Sequence, residues 1–96
     1  MTDGQASISV EILARYAADA ASEVVGVRSL AGRRGVRIED ADGVVRVELH
    51  LVVEWGASLP DVGRIVQQRV HEYLGRMADV EPAAVDVVVD EVGPAS

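Results

Sequence analysis

The chain has 96 residues, 49% hydrophobic and 26% charged, enough apolar material to fold as one domain and too little length for two, which argues against wholesale disorder. Sixteen acidic against nine basic residues give a net charge of −7, which disfavours unaided binding to nucleic acid, and because every basic residue is Arg there is no polylysine segment for an anionic lipid surface. Cys is absent, which excludes a disulfide framework, a thiolate metal site and a Cys nucleophile, and with Trp55, Tyr16 and Tyr73 as the aromatic complement the core must be filled by Val, Ala, Leu and Ile.

Residues 1–7 carry neither a basic n-region nor an apolar h-region, so no signal peptide is expected. No apolar run approaches the roughly 20 residues that span a bilayer. The expectation is a cytoplasmic protein that reaches a membrane only through something else. The first periodic stretch, Val10, Leu13, Tyr16/Ala17, Ala20/Ala21 and Val24, predicts a helix over about 9–24. Ser7 or Ser9 can cap it, Glu11 suits its positive end and Gly26 is a natural stop. The alanines on its inner face predict close approach to whatever it covers.

Arg28 to Gly35 has no period and two glycines and reads as an exposed loop. Val36-Arg37-Ile38-Glu39 then alternates as a strand, Asp42-Gly43 is a hairpin signal, and a second strand runs from Val44 to Trp55. Its odd positions, Val45, Val47, Leu49, Leu51, Val53 and Trp55, should form an apolar face; Arg46, Glu48, His50 and Glu54 form a charged one. At about 3.3 Å per residue such a strand would run roughly 40 Å, so it should bend or project beyond its neighbours. Ser58-Leu59-Pro60-Asp61 opens a second helix, with Ser58 as cap, and Val62, Ile65/Val66, Val70, Tyr73/Leu74 and Met77 mark its buried stripe up to a stop at Pro82. A last strand spans Ala84 to Val92, with Val85, Val87 and Val89 on one side and Asp86, Val88 and Asp90 on the other.

The expected order is helix, strand, strand, helix, strand, with room for a short strand at 5–8 before the first helix. That pattern predicts an α/β (α+β) two-layer sandwich: a small mixed sheet of three to four strands, two helices on its apolar face, and a right-handed crossover into the last strand. The chain reads as a single domain over 1–96, with an ordered core of about 8–92 and flexible tails at 1–6 and 93–96.

Little in the sequence points to catalysis or metal binding. His50 falls on the charged sheet face near Glu48 and either Asp86 or Asp90, where a salt-bridged surface His is the expectation ahead of a weak metal site. His71, on the outer side of the second helix, has Gln67 and Gly75 as its neighbours four residues away and no strong co-ligand. None of the serines lies in a Gly-x-Ser-x-Gly elbow, the acid pairs Asp40/Asp42 and Asp90/Glu91 sit at a turn and a strand end, and no phosphate-binding Gly-rich run is present. Gly32-Arg33-Arg34-Gly35 has the Gly-x-x-Gly form with which K-homology domains clamp a nucleic-acid backbone, but here it leads into a strand instead of joining two helices.

Three stretches carry a resemblance to a known family. Ile8-Ser9-Val10-Glu11-Ile12-Leu13-Ala14 leads to Ala20-Ala21-Ser22-Glu23-Val24-Val25-Gly26-Val27; Val47-Glu48-Leu49-His50-Leu51-Val52-Val53-Glu54-Trp55-Gly56 is followed by Ser58-Leu59-Pro60; Val66-Gln67-Gln68-Arg69-Val70 is followed by Val85-Asp86-Val87-Val88-Val89. Together they resemble the alkaline shock protein family, small bacterial proteins of general and cell-envelope stress. Trp55 stands where Tyr is usual, Asp86 where Asn is common, and Asp79-Val80 where Gly-Leu is frequent. The resemblance implies no catalytic residue and no cofactor. It implies a non-enzymatic role in envelope homeostasis, with a protein partner that can itself be membrane-anchored, or assembly with further copies.

The expected function is therefore that of a protein–protein interaction or assembly module in the envelope stress response. Its candidate contact face is Arg37, Glu39, Arg46, Glu48, His50, Glu54, Asp86 and Asp90, with Arg33 and Arg34 as candidate loop contacts. A merely solvated face is the plainer reading of the same residues. The alternatives are a K-homology-like nucleic-acid-associated protein using the 32–35 loop and, less favoured, a small enzyme. No catalytic, cofactor-binding or metal-ligating set is assigned, and direct membrane insertion is not expected.

Overall fold

The computed structural model describes residues 9–32 and 35–94. Along them run α1 (Val10–Ser22), β1 (Val27–Leu30), β2 (Val36–Ala41), β3 (Val44–Val53), α2 (Leu59–Ala78) and β4 (Ala84–Val92). The predicted short strand at 5–8 and the tails 1–6 and 95–96 lie outside the described residues.

Helix α1 begins where Ser9 Oγ accepts the Ile12 N–H at 3.2 Å, an N-cap that satisfies one of the first-turn donors. Leu13, Ala17, Ala20 and Ala21 are buried, whereas Val10, expected on the inner face, is exposed at the helix start. The helix closes at Ser22, before the expected 24, as the chain prepares to turn at Gly26. That residue has φ of +101°, and a Cβ on it would lie 2.8 Å from Val62 Cγ2, so α2 packs directly onto the turn.

The segment expected to be an exposed loop from Arg28 divides in two. Val27–Leu30 is strand β1, and β2 begins at Val36. Four residues are too few to display alternation; pairing with the end of β3 supplies what the local pattern lacks. Strands β1 and β2 both run antiparallel to the same edge of β3, one after the other: Val27 and Leu30 face Val53 and Leu51, while Val36 to Ala41 face Leu49 to Val44. His50 spans the seam, its carbonyl accepting the Ala31 N–H and its N–H donating to the Gly35 carbonyl. The other edge of β3 carries β4 in parallel, from Arg46/Ala84 to Val53/Val92. The sheet is mixed, as expected, and β3 neither projects nor stands alone: two short strands tile one edge and one long strand the other. It ends at Val53, so Trp55 falls beyond the strand, outside the apolar face expected for it, and is 69% exposed.

Both helices cover one face of this sheet. Val47, Leu49, Leu51 and Val53 from β3 meet Leu13, Ala17 and Ala21 from α1 and Val62, Val66, Val70 and Leu74 from α2 in one cluster. Helix α1 lies over β1 and β2, α2 over β4, and the two helices touch each other. Small alanines permit that approach, and Tyr16 and Tyr73 meet edge to face across it with centroids 5.8 Å apart.

Helix α2 starts at Ser58 as expected, with Pro60 in the first turn, but the Ser58 hydroxyl makes no capping bond. It stops at Asp79, in the left-handed region at φ of +55° with its N–H bonded to the Leu74 carbonyl, short of the expected stop at Pro82. Met77, expected in the buried stripe, is 45% exposed because it lies in the last turn. At the chain's far end Gly93, expected to be frayed, is buried and donates its N–H to the Val53 carbonyl at 2.7 Å.

Candidate functional site

With its odd residues under the helices, β3 sends Arg46, Glu48, His50 and Val52 out of the opposite face, which neither helix covers. Neighbouring strands extend this face in rows. Arg37 and Asp86 flank Glu48, Glu39 and Ala84 flank Arg46, and Val88 lies beside His50. Seven of the eight expected face residues are thereby brought onto one surface. Glu54 is the exception: it follows the end of β3, where its N–H bonds to the Gly26 carbonyl. Arg33 and Arg34, the expected loop contacts, lie outside the described residues.

Charge is graded across the face. Strand β2 contributes Arg37 and Glu39, and β3 contributes Arg46, Glu48 and His50; Asp86, Asp90 and Glu91 stand on β4, which carries no basic residue at all. A shallow groove of about 310 Å³ lies between Arg37, Glu39, Arg46, Glu48 and Asp86.

His50 joins the two acidic lanes. Its Nε2 is 2.6 Å from Glu48 Oε2 and its Nδ1 is 2.8 Å from Asp90 Oδ1. With an acceptor at each nitrogen, the ring donates on both sides only as imidazolium. These hydrogen bonds, that to Glu48 foremost, push the His50 pKa above its ordinary value of 6.5. The expectation left Asp86 and Asp90 both open as the partner across the ladder, and the structure selects Asp90 for an identifiable reason. The register of β4 slips between Leu51/Val89 and Val52/Glu91, so Asp90 is the extra residue of a β-bulge. A bulge re-aims the side chain it carries. Because the carboxylates occupy opposite nitrogens, they do not converge on a common point. Among the described residues no group of three or more His, Asp or Glu is placed to hold a metal ion, and His50 pairs instead with Glu48 and Asp90.

Sequence reasoning passed over Val92, which is exposed on β4, and Arg28, the extra residue of a second bulge in β1, whose Cδ would lie 2.9 Å from a Cβ placed on Gly93. Two bulges thus flank the same end of β3, and nothing in the residue pattern announces either. A wider cleft of about 710 Å³ opens between the β2–β3 turn and the end of α2, with Leu13 and Val45 in its floor and Asp40, Asp79 and Glu81 around it. Among the described residues no Ser, Thr, Tyr or His lines it. The core contains no buried polar or charged side chain among the described residues, and no described helix is long and apolar enough to cross a membrane.

Comparison with known proteins gives three findings. A model of the alkaline shock protein 23 family, described as having a cell envelope-related function, matches residues 31–94. The uncharacterized protein YqhY of Bacillus subtilis (strain 168) is 28% identical over 92 residues, covering 80% of this chain and 68% of that one. Among solved structures, MamM-CTD 215-293 superposes with a TM-score of 0.66 at 16% identity, covering 86% of this chain and 99% of that one. A copper form of a substituted MamM CTD gives 0.68 at 17%, covering 90% and 100%. At such identities the likeness to these structures is one of fold.

Proposed function

The chain belongs to the alkaline shock protein 23 family, whose function is related to the cell envelope, and from that premise we propose that it is a non-enzymatic interaction or assembly module acting in envelope homeostasis and stress through its open sheet face. One observation carries this reading: seven charged or titratable side chains from three strands stand together on a surface that neither helix covers, while both helices pack on the opposite face. A sheet face and edge left open are surfaces on which a second polypeptide can be recognised. An aliphatic core, with no buried polar side chain among the described residues, supports a binding role over a catalytic one. The net charge of −7 supports recruitment to an envelope through a protein, since an anionic surface would repel the domain.

The test is partner capture by cross-linking in cells, with the wild-type chain compared with an Arg37→Glu/Arg46→Glu variant whose melting curve matches wild type. The expected result is a defined cross-linked partner, or a further copy of the chain, that the variant loses. An unchanged cross-linking pattern in the variant, or a strict monomer without partners, overturns it.

A further inference from the structure

The outer edge of β4 is the part of this module least finished by the fold. Strand β4 pairs with β3 along one side, and among the described residues no strand lies along its other side. Its helix-facing side chains are correspondingly incomplete: Val85, Val87 and Val89 are only half-buried, whereas their β3 neighbours Val47, Leu49 and Leu51 are at most 1% exposed. Gln67 of α2 reaches down to this margin, donating from Nε2 to the Val85 carbonyl at 2.9 Å. The apolar layer under α2 therefore continues to the edge without being closed there.

On its other face the same strand presents Asp86, Val88, Asp90 and Glu91. Val88 is 40% exposed. Asp90 is engaged by His50, and among the described residues no cation pairs with Asp86 or Glu91. Exposed edges are normally blunted by Lys, Pro or a short length; β4 has nine residues and none of the basic or Pro type. Its acids instead discriminate between partners. An antiparallel self-pairing of two copies centred on Val88 would set Asp86 opposite Asp90, like charges directly across a ladder, which is destabilising.

Building on the interaction-module reading above, we infer that the β4 edge accepts an extended basic segment of another protein as an added strand. The segment carries Arg or Lys at positions i and i+4, facing Asp86 and the Asp90–Glu91 acids of the bulge, and an aliphatic residue at i+2, facing Val88. Its intervening residues are aliphatic and complete the layer of Val85, Val87 and Val89 under α2. Main-chain bonds to β4 supply the docking and the acids supply the choice of sequence.

The probe is a synthetic peptide with the core Arg-Val-Val-Val-Arg, titrated into the labelled full chain and followed by amide NMR shifts. Four controls accompany it: the same peptide with Glu for Arg, one with Pro at alternate positions, and the Asp86→Asn and Asp86→Asn/Glu91→Gln chains. Expected are shifts centred on residues 84–92, affinity falling with added salt, and no binding by the Glu and Pro peptides. Each exposed charge pair contributes about 0.2–1 kcal/mol, roughly 1.4- to 5-fold, so Asp86→Asn should weaken binding within that range and the double variant more. Asp86→Lys should shift preference toward the Glu peptide. Binding of the Glu peptide as tight as the Arg peptide, shifts that avoid β4, or self-association through β4 in place of peptide binding would each overturn the inference. If the peptide fails while Arg37→Glu/Arg46→Glu still abolishes partner cross-linking, the edge assignment falls and the open-face reading stands; if both fail, so does that reading.

Discussion

His50 Nδ1 lies 2.8 Å from Asp90 Oδ1, tying the central strand to its parallel neighbour at the residue a bulge adds to β4. Together with the bond to Glu48, this contact raises the His50 pKa. A group whose pKa is higher in the folded than in the unfolded chain contributes stability that is fully present below the unfolded value and lost as pH rises through the folded one. Wild-type stability should therefore decline, relative to His50→Gln, as pH is raised above about 6.5. Urea denaturation across pH 5 to 9 checks the slope, and an imidazole NMR titration checks the origin. Glu48→Gln should lower the His50 pKa more than Asp90→Asn, since the Glu48 bond is the larger cause. A titration midpoint at or below the ordinary value would contradict the geometry.

Gly26 and Gly43 separate two costs of adding a methyl group. Both have positive φ, +101° and +81°, but a Cβ on Gly26 meets Val62 Cγ2 at 2.8 Å whereas one on Gly43 meets nothing within 4 Å. Gly43→Ala should cost about 1 kcal/mol from backbone conformation alone. Gly26→Ala adds overpacking between the turn and α2 and should cost about 2–4 kcal/mol. Thermal unfolding of the pair gives the comparison, at roughly 4–8 °C per kcal/mol for a domain of this size. Equal losses would mean that Val62 moves aside freely.

Ser9 and Ser58 occupy equivalent N-cap positions and only Ser9 makes the bond. Ser9→Ala should destabilise by about 1 kcal/mol, and Ser58→Ala should fall within about 0.5 kcal/mol of wild type. Chemical denaturation resolves the difference if the m-values are unchanged.

Leu74 and Met77 stand one turn apart near the end of α2, the first with no exposed surface and the second 45% exposed. Leu74→Ala should cost about 2–5 kcal/mol, in the range of buried Leu truncations, and Met77→Ala less than about 1 kcal/mol. Comparable losses would place Met77 in the core after all.

That last pair also shows what periodicity can and cannot reveal. A stripe of Val62, Val66, Val70 and Leu74 is legible because each residue recurs at helical spacing, and the same spacing extends to Met77 without registering that the sheet beneath has run out. Alternation in β3 announced the buried Val47, Leu49 and Leu51 and the charged face opposite. It overshot at Trp55 because pairing partners, absent from the local pattern, decide where a strand stops. β1 was missed for the complementary reason: Val27-Arg28-Ser29-Leu30 is a strand only by virtue of Val53, Val52 and Leu51 beside it. For the site, the residues of the face could be named from alternation, but the choice of Asp90 for His50 depends on one inserted residue in the register, a long-range feature with no local signature. Glu54 shared the parity of the face and none of its position.

The tiling of β3 bears on how the protein is made. Its two antiparallel neighbours precede it in the chain, and the hairpin at Asp42-Gly43 needs only local closure, which is fast. Its parallel neighbour arrives about thirty residues later, after the whole of α2, and closes a much longer loop. A chain growing from its N-terminus thus passes through a stage in which the lane of Arg46 to Val53 is paired on one side and unpaired on the other, with Leu49 and Leu51 beneath it awaiting their cover. During synthesis the vulnerable margin is that of β3; in the finished molecule it has moved outward to β4, where acids screen what can join. Deleting β4 should accordingly return the exposed edge to an interior, Val- and Leu-rich strand, and aggregation of such a truncated chain, against solubility of the intact one, is the expected consequence.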